Sequence, residues 1–164
     1  MQLLTRLIER WLDNRSIRRY NRIMSDIEGE TDPLVKLEKQ IILELSGTLL
    51  GGMASSTAYM DFKRNYYDKL QSDVLKRNVN EILIKIIESP KHKTSSKIRA
   101  VYACADIVIP EALPIIENQL SKTKKDSISK QELEAAIEAL KLRRPISELI
   151  RERVLRSTSG TTGR

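Results

Sequence analysis

Apolar residues recur along this chain at intervals of three and four, and the intervals group into a series of amphipathic segments. Leu3, Leu4, Leu7, Ile8, Trp11 and Leu12 follow the spacing that places side chains on one helix face, with Arg6, Glu9, Arg10 and Asp13 opposite. After Asn14 the apolar set becomes Ile17, Tyr20, Met24 and Ile27. At ~100° per residue this second set points about half a turn away from the first, so a break is expected near residues 13–16. The acidic stretch 25–32 reads as a turn. Thr31-Asp32-Pro33 then supplies a cap and a first-turn proline, opening a helix with Leu34, Leu37, Ile41 and Leu45 on one side and Ile42 beside them. The clearest helix spans Val74–Glu88, where Leu75, Val79, Ile82, Leu83 and Ile86 face away from Lys76, Arg77, Asn80 and Glu81. Ser89-Pro90 ends it, and the polar loop Lys91–Lys97 follows, with Ser95 or Ser96 expected to cap the next helix.

Residues 97–150 read as two helix–turn–helix units in succession. In the first, Ile98-Arg99-Ala100 opens a small-residue helix through Tyr102, Ala103 and Ala105, which turns at Pro110 into Ala112-Leu113-Pro114-Ile115-Ile116. In the second, Leu133 through Glu138-Ala139-Leu140 turns at Pro145 into Ile146, Leu149 and Ile150, with Ser129 and Glu132 spaced as a capping box ahead of it. This stretch resembles HEAT-type helical repeats, in particular the short variety found in phycobilin lyases. It departs from that pattern in carrying Val108-Ile109-Pro110 and Arg143-Arg144-Pro145 where Gly-Asp-Pro is usual, and in its long linker, Ser121–Ser129. The resemblance implies a right-handed stack of antiparallel helix pairs that works as a scaffold for protein, or in a few cases nucleic acid; it transfers no catalytic residues.

The last helix is expected to turn Ile146, Leu149, Ile150 and Val154 inward and Arg151, Arg153 and Arg156 outward, while 157–164 has nothing to bury and is expected to be disordered. The fold class that follows is all-α, with about six to eight helices in an irregular bundle or HEAT-like stack. Three segments are expected: a basic amphipathic segment at 1–30, a helical domain at 31–156 and the tail.

Two stretches invite other readings. Between Ile41 and Met60 only Glu44 is charged, but Ser, Thr and Gly are too frequent for the ~20 apolar residues of a membrane span. Gly47, Gly51 and Ser55, each four apart, suit either a close helix approach or a hinge. Tyr59, Phe62, Tyr66 and Tyr67 lie among Lys63, Arg64 and Lys69, a mixture that can stack bases. The helical spacing of Tyr59, Phe62 and Tyr66 favours a place in the core, leaving Tyr67 exposed.

Charge and chemistry narrow the function. A formal net charge of +7 over 164 residues suits an acidic protein surface, nucleic acid or anionic lipid. Cys104 is the only cysteine, so no intrachain disulfide forms, and a reducing, cytoplasmic setting is expected. It sits between two alanines as a packed thiol. His92, the only histidine, lies in the polar loop. No phosphate-cradling loop, zinc spacing or nucleophile elbow is present, so neither a cofactor nor a metal is expected, nor enzymatic activity. The reading is a non-catalytic helical adaptor that binds another protein through Arg99, Lys141, Arg143 and Arg144, the cations beside the turns. The alternative is a nucleic-acid-binding protein that uses Arg15, Arg18, Arg19 and Arg22 with Lys91, Lys93, Lys97 and Arg99. A third reading lays Leu3, Leu4, Leu7, Ile8 and Trp11 on an anionic membrane surface.

Overall fold

The computed structural model describes residues 17–46, 58–122 and 128–159, and among them all regular structure is helical. The N-terminal Leu3–Leu12 set, the break at 13–16, Arg15 and the glycines at 47, 51 and 52 lie outside the described residues. The chain divides into two compact units, Met1–Tyr59 and Met60–Arg164.

In the first unit, α1 occupies residues 17–28 and α2 spans Pro33–Ser46. Residues 25–28 were expected in a turn but are helical. Ile27 is 1% exposed, and burying its side chain favours carrying the helix through residue 28. The turn is confined to 29–32, where the Gly29 N–H donates to the Ser25 carbonyl at 2.9 Å. Asp32 caps α2 as the sequence suggests, its Oδ1 accepting from the Leu34 N–H at 2.8 Å and the Val35 N–H at 3.3 Å. Ile41 and Leu45 are buried. Lys39 on α2 sits 2.9 Å from Glu30 and 3.1 Å from Asp26, tying α2 to the turn and to α1.

A broken stretch of chain leads into the second unit. The aromatic segment expected as one helix face is instead a 3-10 turn at Ala58–Asp61, a single helical turn α3 (Phe62–Asn65), and another 3-10 turn at Tyr67–Lys69. The break falls at Tyr66, whose φ of −124° and ψ of −62° are not helical. Phe62 is buried with its ring 5.2 Å from that of Tyr66. Tyr67 is half-buried rather than exposed, with the Lys76 ammonium 6.0 Å from its ring centroid.

Helix α4 (Asp73–Glu88) is capped by Ser72 and buries Val79, Ile82, Leu83, Ile86 and Ile87. Leu75 shares that face but is 42% exposed, because it precedes the first packed turn. Helix α5 (Thr94–Ile107) starts before Ser95 and Ser96, so neither is its cap; Lys93 holds that position and supplies no side-chain hydrogen bond. Its buried Ala100, Val101, Ala103, Cys104 and Ala105 are mostly small, which lets α5 serve as the central helix, packed against α3, α4, α7 and α8. A 3-10 turn at Pro110–Ala112 leads into α6 (Leu113–Ser121). Helix α7 (Ile128–Leu142) packs on α5, α6 and α8, and it begins ahead of Ser129, so Ser129 is not a cap. Helix α8 (Ile146–Ser159) runs into the segment expected to be a disordered tail: 157–159 are helical, and 160–164 lie outside the described residues.

The α5–α6 and α7–α8 turns use one device. Val108 and Arg143 adopt left-handed backbone, with φ of 66° and 54°. After each, an amide reaches back to close the preceding helix: Ile109 N–H to the Cys104 carbonyl at 2.9 Å, and Arg144 N–H to the Ala139 carbonyl at 3.0 Å. These are Schellman closures, normally built on glycine.

Candidate functional site

Where α5, α7 and α8 meet, one buried carboxylate and several exposed ion pairs join the helices. Pro145 precedes α8 and has no side-chain acceptor for the free amides of the first turn. Asp106, 6% exposed near the end of α5, fills that role: its Oδ1 accepts from the Ser147 N–H at 3.1 Å. Arg144 lies beside the same turn, 2.5 Å from Glu152 and 3.5 Å from Glu148, both on α8. The bond from Arg144, then its charge, lowers the Glu152 pKa, and the same pairing raises that of Arg144. Arg153 on α8 pairs with Glu138 on α7, and Lys141 on α7 lies 2.8 Å from Glu117 on α6.

These contacts set the surroundings of the expected binding residues. Of the four cations beside the turns, Lys141 and Arg144 are engaged in bracing helices together, and Arg99 is half-buried on α5. Arg99 also lies seven residues before Asp106, about 10 Å along the helix axis, so it stands apart from the α7–α8 turn. Arg143 is exposed, and no ion pair to it is found among the described residues. Of the polyanion set, Arg18, Arg19 and Arg22 are exposed on α1, Lys91 and Lys93 are exposed, and Lys97 is half-buried. The aromatic cluster does not present a stacking platform: Phe62 is buried, and its cationic neighbours Lys63 and Arg64 pair with Asp68 at 3.1 Å and Asp61 at 2.8 Å. Leu3, Leu4, Leu7, Ile8, Trp11 and Arg15 lie outside the described residues. No described helix is long and apolar enough to cross a membrane, and no described group of acids, His and Cys is arranged to hold a metal.

The surface that periodicity missed is the outer side of α8. Ile146 and Leu149 are buried as expected, but Ile150 is 38% and Val154 56% exposed, against the expectation that both turn inward. At ~100° per residue, Ile150 and Val154 lie about 40° apart, Arg151 about 100° round from Ile150, and Leu155 about 140° round. Leu155 is 60% exposed. The apolar arc of α8 is therefore wider than α5 and α7 cover, and it leaves three large aliphatic side chains around Arg151. The sequence shows which residues share a face of α8; how much of that face a neighbour covers depends on packing that no local pattern records.

No known protein family matches the chain, and neither a curated protein nor a solved structure matches it.

Proposed function

We propose that this protein is a non-catalytic helical module, of HEAT-like character in its second unit, that holds another protein on the outer face of α8. The observation that carries this reading is the exposure of Ile150, Val154 and Leu155 on a helix whose Glu148, Glu152 and Arg153 are paired to residues outside it. Exposed aliphatic side chains grouped on one rigid element mark a contact surface, whereas scattered ones do not. The buried nucleophile and the buried acid both have structural explanations. Burial pushes the Cys104 thiol well above its ordinary range, away from the reactive thiolate, and the Asp106 carboxylate is spent on the α8 terminus.

Site-specific photocrosslinking in cells tests the reading. A photoreactive residue at Val154 is expected to give discrete adducts that protease removes and nuclease does not. A second at Lys93 probes the competing polyanion reading on the α4–α5 turn. Absence of adducts from 154 would overturn the α8 surface, and nuclease-sensitive adducts from 93 alone would do so in favour of nucleic acid.

A further inference from the structure

Resting on that reading, we propose that the partner presents an acidic amphipathic helix, its apolar stripe laid along Ile150, Val154 and Leu155 and its carboxylates on Arg151 and Arg143. Two observations select this occupant. The exposed Ile150 and Val154 lie about one helical turn apart, the spacing at which a second helix presents its own apolar positions, and Leu155 widens the strip on the far side of Arg151. The charge around them is one-sided as well. Residues 138–157 hold six cations (Lys141, Arg143, Arg144, Arg151, Arg153 and Arg156) against the three carboxylates Glu138, Glu148 and Glu152.

Those three carboxylates are already held, Glu138 by Arg153 and Glu148 and Glu152 by Arg144. What remains to meet a partner is positive: Arg151 amid the aliphatic row and Arg143 at the head of the helix. Both are exposed, and no ion pair to either is found among the described residues. A second copy of this chain would set that surplus positive charge against its own, which repels. A helix bearing glutamates beside leucines meets both features. Complementary charge of this kind selects partners and register more than it adds affinity, so the signature to seek is discrimination.

The probes are two synthetic helical peptides with one apolar stripe in common, one bearing Glu and the other Lys on the polar face. Binding to the full chain is followed by fluorescence anisotropy at low and high salt. The Glu peptide is expected to bind at least ten-fold more tightly, with the advantage shrinking as salt rises. Arg151→Glu is expected to reverse the preference, and Val154→Glu to weaken both peptides while circular dichroism stays unchanged. Equal binding of the two peptides, or a preference that survives Arg151→Glu, overturns the acidic partner; adducts from position 154 would then leave the docking surface standing. Sedimentation showing a dimer that Val154→Glu dissolves would assign the face to a second copy and also overturn the proposal. Failure of both peptides to bind, with no adducts from 154, removes the proposal and the underlying reading together.

Discussion

Asp106 on α5 donates no charge to the surface; its Oδ1 receives the Ser147 N–H of α8 at 3.1 Å across forty-one residues of sequence. A carboxylate near the C-terminus of its own helix opposes that helix's dipole, but the same carboxylate sits at the N-terminus of α8, where the dipole favours it. The pairing also relieves an amide that Pro145 cannot cap. Asp106→Ala is therefore expected to cost about 1–3 kcal/mol, since it leaves a first-turn amide of α8 without its acceptor. Asp106→Asn retains an acceptor and is expected to cost less. Urea unfolding of the two variants checks the order, and equal losses would show that the negative charge rather than a neutral acceptor matters at 106.

Val108 is β-branched and sits at φ 66°, a conformation in which its Cβ crowds the following carbonyl. The turn needs that conformation, because the Ile109 amide closes α5 only from there. Val108→Gly removes a penalty of roughly 1–2 kcal/mol and gives back part of it as backbone entropy in the unfolded chain. A net gain of up to about 1 kcal/mol is expected, read as a higher Tm. A fall in Tm would mean that the half-buried Val108 side chain contributes more packing than its backbone loses.

Which parts of this molecule were legible beforehand follows from the range of the forces involved. The Asp32 cap, the stripe on α4 and the proline turns were readable because each is decided within one or two turns of chain. The closure of α1 through residue 28 was not, since acidic composition suggested a turn while burial of Ile27 decided otherwise. The split aromatic segment was missed because Tyr59, Phe62 and Tyr66 have helical spacing, yet the backbone breaks at Tyr66. The candidate site was the least legible. Lys141 and Arg144 look like free cations in sequence because Glu117 lies twenty-four residues from the first and Glu152 eight from the second, each on another helix. Ile150 and Val154 look buried because periodicity reports a face without reporting what lies against it.

The Arg144–Glu152 pair makes stability depend on acid. The hydrogen bond from Arg144, and then its charge, hold the Glu152 carboxyl below its ordinary value of 4.5. A folded-state pKa below the unfolded one means the pairing stabilises fully above the unfolded value and is lost as pH falls through the folded one. Glu30 behaves in the same sense, lowered first by Lys39 and then by the Asp32 amide. Glu132 runs the other way: burial raises it, so its contribution is present in acid and is lost as pH rises through its raised pKa. Carboxyl NMR titration is expected to place Glu152 and Glu30 below 4.5 and Glu132 above it. Glu152→Gln should flatten the acid limb of a Tm-against-pH curve. An unchanged acid limb would show that the solvent-exposed pair contributes little to folding, as surface ion pairs often do.

Asn80 Oδ1 is buried, with no hydrogen-bond partner among the described residues. An unsatisfied acceptor away from water costs about 1–3 kcal/mol, whereas an aliphatic group of similar size there is neutral or stabilising. Asn80→Leu is expected to raise the urea midpoint, its side chain lying beside the packed Val79 and Leu83 turns of α4. A lowered midpoint would indicate that the amide is satisfied in solution by an ordered water.

Cys104 lies fully buried on the central helix, between Ala103 and Ala105, and its carbonyl closes α5 through the Ile109 amide. Desolvation raises its pKa, so at neutral pH the nucleophilic thiolate is scarce as well as inaccessible. Labelling by a disulfide reagent therefore requires the α4–α5–α7 core to open. The labelling rate at low reagent, where reclosing outpaces labelling, is expected to follow the unfolding equilibrium, rising steeply with urea and slowing in step with any stabilisation from Val108→Gly. Because Val108 and Cys104 belong to one helix end, local fraying there would instead label the thiol quickly in native buffer, and Val108→Gly would suppress that labelling without shifting the global midpoint. The two patterns separate a core that opens as a unit from one that opens first at the end of α5.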